Sequence, residues 1–242
     1  MQVDVALVPA ELPYCPEVSV GVVIDVLRAS STITTALSNG ASLVATFAEV
    51  EEARGWGAEA EGRLLGGERG ALPIEGFCFG NSPLEYTKER VTGRQIGITT
   101  TNGTRAVELT LRQARTVLMA SLLNIQAIVD YCRGAKDILL VCAGTEGRFS
   151  LEDAYCAGMI LDRLGEIKTT DSARLVQGIY GQHREREPQQ VLMQTVHGGR
   201  LLQLGFAKDV EYCGKVDLCP VVPLWDRGER AFVAVSGQDG EK

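Results

Sequence analysis

The sequence predicts a three-layer α/β/α fold built on a mainly parallel, mixed sheet. The first observation is an almost continuous run of β-branched residues, Val20, Val22, Val23 and Ile24, which is typical of a strand covered on both faces in a parallel sheet. The second is that such runs alternate with stretches whose apolar residues recur every three or four positions. The third is that polar segments stand where predicted strands end and helices begin. This alternation predicts helices on the faces of a parallel sheet.

Strands and helices follow one another along most of the chain. The predicted strands are Val3 to Val8, Val20 to Asp25, Leu43 to Thr46, Arg63 to Gly66, Gln95 to Thr99, Thr116 to Ala120 and Ile138 to Cys142. The predicted helices are Ser31 to Asn39, Glu49 to Glu61, Arg105 to Ala114, Asn124 to Arg133 and Leu151 to Leu164. A longer helical region from about Ser172 to Leu204 and a short tail with Pro220, Pro223 and Trp225 follow. The last residues, GQDGEK, predict a frayed end.

Composition limits the kinds of protein that the chain can be. Its 242 residues can bury a sizeable core, and we expect one domain over residues 1–242, with a helical lobe at 165–242 as the alternative. No apolar run approaches the ~20 residues of a membrane helix and no leader is recognised, so we expect a cytoplasmic protein without a membrane partner. The seven cysteines lack a C-x-x-C pair, which disfavours zinc and disulfides. A formal charge of −7 argues against nucleic acid as a partner. A homodimer is the default expectation.

The first candidate site is the point where the predicted strand ends at Asp25 and a helix begins. In open α/β sheets, anions bind at the carboxyl ends of strands and at the free N–H groups of the helices that follow. A carboxylate here suits a hard cation, and Arg28 with the helix amino terminus suits a phosphate held by that cation. The alternative is structural, with Asp25 as a turn or cap residue and Arg28 solvated.

The segment LLGGERG is the second candidate. Gly66 and Gly67 allow a close approach of the backbone, while Glu68 offers a metal ligand and Arg69 an anion partner. An exposed surface loop is the competing interpretation.

The third candidate is GFCFGNSPLEY. Ser82, Pro83 and Glu85 predict a capping box with proline at the first helical position, which gives them a structural role. Asn81 has no such explanation and is therefore a candidate contact to the substrate.

The fourth candidate is the loop in GITTTNGTRA. Asn-Gly alone would predict a hairpin turn, but helical spacing follows it. We therefore expect a polar loop whose hydroxyl and N–H groups hold an oxyanion. The candidate substrate contacts in this loop are Thr100, Thr101, Asn102, Gly103, Thr104 and Arg105.

The fifth candidate is ILLVCAGTEGRFSLEDAYCAG. Ser150 and Asp153 fit a capping box, and the same position suits a metal-binding acid, so both roles of Asp153 stay open. Cys142 and Arg148 have the spacing of cysteine-dependent phosphatases, which makes a metal-free cysteine phosphatase a competing prediction. Glu146 disfavours it, because its charge would repel both the phosphate and the required thiolate.

Neither histidine is predicted to act in catalysis. His183 stands in the charged patch HREREP and is expected to be exposed, and His197 is expected to be a helix-end residue before two glycines. The chain has no G-x-S-x-G elbow, P-loop or dinucleotide-binding sequence. Acid–base chemistry is therefore assigned to carboxylates.

Five segments in this order resemble the 2-phosphosulfolactate phosphatase (ComB) family: VVIDVLRASSTITTAL, GGERG, GNSPLEY, TTNGTRA and CAGTEGRFSLEDAYCAG. The similarity covers nearly the whole chain and extends to HGGRLLQLGFAKDVEYC. It implies a ComB-like fold and a magnesium-dependent phosphatase that converts a small sulfonated 2-phospho acid to sulfolactate, on the route to coenzyme M. The chain departs from the family pattern at Cys78, where an acid is common, so a carboxylate role cannot be transferred there.

The resemblance and the residues together give a mechanistic hypothesis. The expected metal ligands, for Mg²⁺, are Asp25, Glu68 and Asp153. The expected phosphate clamp consists of Arg28, Arg69 and the loop from Thr100 to Thr104. Either Asp25 or a metal-activated water attacks phosphorus. Sulfonate recognition is assigned to Arg105 or Asn81, and a small-anion binding protein without catalysis is the non-enzymatic alternative.

Overall fold

Residues 1–235 are described by the computed structural model, and the predicted frayed end GQDGEK lies outside them. Eleven strands in this part of the chain form one mixed sheet. They are β1 (Gln2–Ala6), β2 (Val18–Ile24), β3 (Leu43–Phe47), β4 (Leu64–Arg69), β5 (Leu72–Pro73), β6 (Gln95–Thr99), β7 (Ala114–Ala120), β8 (Asp137–Cys142), β9 (Lys168–Thr169), β10 (Val222–Asp226) and β11 (Ala231–Val235). Their order across the sheet is β5-β4-β6-β3-β11-β10-β7-β2-β8-β1-β9. Every strand predicted from the sequence is present.

Strand β2 lies inside a parallel group formed by β7, β2, β8 and β1. Val22 pairs with Leu118 of β7 on one side and with Leu140 of β8 on the other. Strand β1 pairs with the far edge of β8. Because β2 has a neighbour at each edge and helices on each face, its continuous β-branched run is buried throughout.

A hairpin of β10 and β11 joins this group to a second parallel group of β3, β6 and β4. Strand β10 pairs antiparallel with β7 at Leu224, and β11 pairs antiparallel with β3 at Phe232. Three successive antiparallel pairings mean that the second group runs opposite to the first. The sequence predicted only a short tail here; Pro223 within a short run is unusual for an interior strand, which hides the hairpin from a local pattern.

Helices cover both faces of the sheet and confirm the predicted three-layer α/β/α fold. They are α1 (Ala29–Ser38), α2 (Val50–Ala58), α3 (Lys88–Val91), α4 (Gly103–Thr110), α5 (Ile125–Cys132), α6 (Leu151–Leu164), α7 (Asp171–His183), α8 (Pro188–Gln194), α9 (Val196–Gln203) and α10 (Ala207–Cys213). Alternate strand residues divide between two cores: Val22 and Leu140 pack with α5, α6 and α7, whereas Val23 and Val141 pack with α1 and α4.

Helices α1 and α4 bring the two strand groups together. Helix α1 follows β2 and also contacts β3, while α4 follows β6 and also contacts β2. The two helices contact each other. The loops after β2 and β6 therefore meet, although their strands belong to groups of opposite direction.

The carboxy-terminal third supplies four helices before the hairpin. The helical region predicted from Ser172 to Leu204 consists of α7, α8 and α9, and α10 follows it. Across residues 1–235, no helix has both the length and the apolar character needed to span a membrane.

Candidate active site

A cavity of about 100 Å³ opens to solvent where the loops after β2, β6 and β8 meet the turn after β4 and helix α9. Its lining is mostly polar and comes from segments that are far apart in the sequence. The lining residues are Asp25, Leu27, Arg28, Glu68, Gly70, Ala71, Asn81, Thr100, Thr101, Asn102, Thr145, Glu146, His197 and Arg200.

The Asp25 carboxyl group lies at the carboxyl end of β2 and is 6% exposed. Ala29 donates its backbone N–H to Asp25 Oδ1 at 3.3 Å, and the Ser30 hydroxyl donates to the Asp25 carbonyl at 2.6 Å. Burial, reinforced by the charges of Glu68 and Glu152, raises the pKa of Asp25 to about 7. The helix amino terminus therefore fixes a carboxyl group that is easily protonated.

Gly103 allows helix α4 to approach this carboxyl group closely. A Cβ atom at this position would lie 2.7 Å from Asp25 Oδ2 and 2.7 Å from Ala29 Cβ. Any larger residue would displace either the carboxyl group or the start of α1. Gly103 does not line the cavity, so its place in the predicted anion loop is that of a spacer behind Asp25.

Glu68 connects β4 to the loop after β6. Its Oε1 accepts hydrogen bonds from the backbone N–H of Thr101 at 2.9 Å and from the Thr101 hydroxyl at 3.0 Å. Its Oε2 accepts from the backbone N–H of Ala71 at 2.6 Å. This carboxylate lines the cavity while it also holds two of the loops that form it.

Arg28 is buried and fixed by three contacts. Its Nη1 donates to Asp209 Oδ2 at 2.5 Å, and its Nη2 donates to the carbonyl of Ala71 at 2.9 Å. The guanidinium lies over the ring of Phe206 with 4.3 Å between its central carbon and the ring centroid. Asp209 also accepts from the Ser82 hydroxyl at 2.7 Å. Helix α10 therefore positions an arginine at the cavity wall through Asp209. This role of Asp209 was not predicted from the sequence.

Asn81 lines the cavity, and its buried side-chain oxygen, Oδ1, has no hydrogen-bond partner in the described part of the chain. The predicted capping box beside it is wrong. Pro83 does begin a short 3-10 helix, but Ser82 makes no side-chain cap because its hydroxyl binds Asp209. Glu85 instead accepts the backbone N–H of Gly80 at 2.8 Å.

The loop after β6 contributes three of its six candidate residues to the cavity. Thr100, Thr101 and Asn102 line it. Thr104 is buried behind them, where its hydroxyl donates to the carbonyl of Thr100 at 2.9 Å. Arg105 is exposed and outside the cavity, so the expectation that it contacts the anion does not match its position.

Arg69 and Cys78 also lie outside the cavity lining. Arg69 donates to the carbonyls of Glu68 and Ala48 and to the Thr99 hydroxyl, at 2.8 to 2.9 Å. Its guanidinium therefore braces the backbone around β4, in contrast to its predicted place in the clamp. Cys78 is exposed.

Asp153 is buried at the start of α6, where it joins two loops. Its Oδ1 accepts the backbone N–H of Val26 at 2.9 Å, and its Oδ2 accepts that of Gly144 at 3.0 Å. The predicted capping box with Ser150 is wrong, because no side chain caps this helix. Asp153 does not line the cavity, whereas Asp25 and Glu68 do, which disfavours its expected role as a metal ligand. Burial, followed by the nearby Asp25 and Glu152 charges, raises the pKa of Asp153.

The position of Cys142 contradicts the cysteine-phosphatase alternative. Its side chain is fully buried in β8, and burial raises the pKa of the thiol well above its ordinary value. A nucleophilic thiolate requires the opposite environment. Arg148 is exposed and does not line the cavity.

Helix α9 contributes two cavity residues that the sequence analysis did not select. His197 lies in its first turn, with Nδ1 buried and without a hydrogen-bond partner in the described chain. Burial lowers the pKa of His197, against the opposing influence of Glu152. Arg200 lies at the mouth and donates to Glu146 Oε1 at 3.0 Å. A histidine and an arginine three residues apart share one helix face, which is the sequence signal that marks this pair.

The cavity offers a set of oxygen donors that suits Mg²⁺. Asp25, Glu68 and Asn81 all line it, and Asn81 Oδ1 has no hydrogen-bond partner in the described part of the chain. Among residues 1–235 no group of three or more His, Cys, Asp or Glu side chains could hold a metal by itself. Mg²⁺ commonly keeps several waters and binds through one or two carboxylates together with a substrate phosphate. The donors present therefore fit a magnesium ion that is shared with a substrate.

Comparison with known proteins gives matches along most of the chain. The family model described as 2-phosphosulpholactate phosphatase matches residues 7–228. A Thermotoga petrophila protein named as a probable 2-phosphosulfolactate phosphatase is 46% identical over 226 residues, which cover 93% of this chain and 96% of the relative. A Thermotoga maritima protein of the same name is 45% identical with the same coverage. A Gloeobacter violaceus protein of that name is 41% identical over 245 residues, which cover 98% of this chain and 99% of the relative.

Proposed function

The chain belongs to the 2-phosphosulpholactate phosphatase family, and from this premise we propose that it hydrolyses 2-phospho-3-sulfolactate to 3-sulfolactate and phosphate. Its activity is that of a phosphoric monoester hydrolase. The observation that carries the proposal is that Asp25, Glu68 and the loop from Thr100 line one cavity. A role on the route to coenzyme M and a cytoplasmic location belong to the same proposal.

Mg²⁺ is the proposed cofactor, and Asp25, Glu68 and Asn81 are the residues that would hold it. When bound, the ion neutralises charge on the phosphoryl oxygens. Arg28 would also neutralise charge on the phosphoryl group, because its guanidinium is held at the cavity wall by Asp209 and Ala71. An arginine that is already fixed needs little reorganisation when charge develops on the phosphoryl group.

Asp25 is the proposed nucleophile. In this step, a carboxylate oxygen of Asp25 forms a bond to phosphorus while the bond from phosphorus to the ester oxygen breaks. The ester oxygen takes up a proton from solvent water and leaves as the hydroxyl group of the product. Water then attacks the phosphorus of the acyl phosphate, which releases phosphate and restores Asp25. The competing route has water attack the substrate directly, with Asp25 as a metal ligand.

Replacing the carboxyl group tests the role of Asp25. We expect Asp25→Asn to lose about 1,000-fold or more in kcat, because removing the reacting group abolishes the chemical step. Phosphate release from 2-phospho-3-sulfolactate is measured with Mg²⁺, with excess chelator, and after Mg²⁺ is restored. The matched control is Asp162→Asn, which removes an exposed carboxylate whose partner is Arg184. Turnover retained by Asp25→Asn contradicts the proposal, as does full activity of the native enzyme in chelator.

Chemical trapping separates the two routes. Borohydride reduces an acyl phosphate, so treating the reacting enzyme should convert Asp25 to homoserine in a peptide mass spectrum. A native enzyme that turns over rapidly and never shows homoserine at position 25 supports direct attack by water. Binding of the ester with no release of phosphate, in the presence of Mg²⁺, supports an anion-binding protein instead.

A further inference from the structure

We infer that Arg200 recognises the second strong anion of the substrate, the sulfonate, and that Glu146 occupies this arginine while the cavity is empty. The inference rests on the proposed function and names the residue that selects the substrate. It starts from the two arginines among the lining residues, Arg28 and Arg200. A sulfonated 2-phospho acid brings a phosphate, a carboxylate and a sulfonate into one small cavity. More than one cationic contact is therefore needed.

The two arginines differ in how freely they can bind a ligand. Arg28 is 2% exposed in its side chain and is fixed by Asp209, Ala71 and Phe206. The Arg200 side chain is 43% exposed at the mouth. Its Nη1 donates to Glu146, and within residues 1–235 its Nη2 has no hydrogen-bond partner. Arg200 therefore presents open donors to a ligand that enters.

The Glu146 side chain is a partner that a ligand can displace. It is 67% exposed, and exposed ion pairs contribute little to stability. The loop that carries Glu146 is held independently, because its backbone N–H donates to Asn102 Oδ1 at 3.0 Å. A ligand anion can thus replace the carboxylate at Arg200 without releasing the loop.

The chemistry of the two groups favours this pairing. A guanidinium presents several N–H donors in one plane and binds an oxyanion through two parallel hydrogen bonds. Gly70 faces Arg200 across the mouth, where a Cβ atom on Gly70 would lie 3.9 Å from Nη2. The absence of a side chain on Gly70 leaves space beside these donors. Arg105, the arginine selected from the sequence, lies outside the cavity.

Two substrates that differ only in the sulfonate test the inference. The probes are 2-phospho-3-sulfolactate and 2-phospholactate, which share the phosphate and the carboxylate. We expect Arg200→Gln to lower kcat/KM for the sulfonated ester by about 100-fold, mostly through KM, since a charge-assisted hydrogen-bond pair is lost. The value for 2-phospholactate should change by less than about threefold. Arg200→Lys should recover part of the loss, because a point charge remains without the planar fork.

Glu146→Gln tests the competing partner. It should lower KM for the sulfonated ester severalfold and KM for 2-phospholactate by much less, because Arg200 no longer has to exchange one carboxylate for the sulfonate. The matched control for Arg200→Gln is Arg184→Gln, which also removes a half-exposed arginine paired with a carboxylate on another element. This control changes the net charge equally and should leave both substrates unaffected.

The outcomes separate this inference from the proposed function. Equal losses on both esters, or no loss with Arg200→Gln, overturn the role of Arg200 while the phosphatase stands. If the native protein hydrolyses neither ester, the proposed function fails, and calorimetric binding of 3-sulfolactate and of lactate then decides the inference. Selective weakening of 3-sulfolactate binding by Arg200→Gln supports it. Equal affinities in the native protein and the variant, or no binding, contradict it.

Discussion

The Asp25 carboxyl group lies near three other buried acids, Glu68, Glu152 and Asp153. Burial disfavours a negative charge on Asp25 and on Asp153, and the charges of the neighbouring acids add to the effect. Such a cluster lowers the stability of the fold at neutral pH, because ionised carboxylates are unfavourable when they are buried close to one another. Sites of this kind are typical of catalysis, which trades stability for reactivity.

Asp25→Asn should stabilise the metal-free protein at high pH. The folded pKa of Asp25, about 7, lies above the ordinary value of 3.8. The native state therefore binds more protons than the unfolded state between these values, and stability falls as pH rises through that window. Removing the charge should raise the free energy of unfolding by on the order of 2–4 kcal/mol at pH 8 and by much less near pH 4. Urea unfolding in chelator at both pH values measures the difference.

The control for this measurement is Asp162→Asn, which changes an exposed carboxylate. It should shift the unfolding midpoint little at either pH. The contrary outcome is that Asp25→Asn stabilises the protein by the same amount at pH 8 and at pH 4. That result would show that the fold does not disfavour the ionised form of the Asp25 carboxyl group.

The cavity residues that the sequence predicted are those that stand at strand ends. Asp25, Glu68, Asn81 and Thr100 follow hydrophobic runs or glycine-rich turns, so a local pattern marks them. Arg200 does not follow a strand, and it reaches the cavity only through the packing of α9. Asp209 and His197 also depend on the arrangement of the carboxy-terminal helices. A carboxylate that fixes an arginine 181 residues earlier leaves no local trace in the sequence.

Secondary structure was predictable where the apolar residues of an element follow a clear pattern along the sequence. The buried strands of the parallel groups carry continuous or alternating apolar residues, and all of them were found. The hairpin of β10 and β11 was missed because its strands are short and Pro223 interrupts the first. The capping boxes predicted at Ser82 and Ser150 fit the local pattern, but the Ser82 hydroxyl binds Asp209 and the Asp153 carboxylate accepts the backbone N–H of Val26. Tertiary contacts thus overrode the local rule at both sites.

Gly158 sets the distance between α6 and α7, and Gly158→Ala should destabilise the protein. A Cβ atom here would overlap the carbonyl oxygen of Val176 and would lie 2.6 Å from Tyr180 Cβ. A backbone carbonyl cannot move aside without shifting its helix, so we expect a cost of about 1–3 kcal/mol. Chemical denaturation monitored by circular dichroism measures it.

The control is Gly178→Ala on the facing helix, where an added Cβ atom meets nothing within 4 Å. It should stabilise the protein by about 0.5–1 kcal/mol, because alanine restricts the unfolded chain and favours the helix. The opposite signs of the two substitutions separate the close helix contact from helix propensity. Equal effects would contradict the proposed role of the contact.

The hairpin of β10 and β11 makes one sheet out of two parallel groups of opposite direction. Without it, an edge of β7 and an edge of β3 would face solvent with unpaired backbone groups. The cavity depends on the same junction, because β2 belongs to one group and β4 and β6 belong to the other. The prediction that residues 1–242 form a single domain therefore has a physical test at this hairpin.

Phe232 is the side chain at the centre of that junction, and its truncation should destabilise both groups together. The residue is fully buried, pairs with Val44 of β3, and packs its ring edge against Trp225 with centroids 5.1 Å apart. Removing a buried phenylalanine costs about 3–5 kcal/mol, which for a chain of this size lowers Tm by roughly 10 °C.

We expect calorimetry of both the native protein and Phe232→Ala to show one transition, since the hairpin couples the groups. Phe149→Ala, at an exposed phenylalanine, should leave Tm nearly unchanged. Two separate transitions in the native protein, or a Phe232→Ala variant in which one part melts early while the rest keeps its Tm, would mean that the groups fold independently.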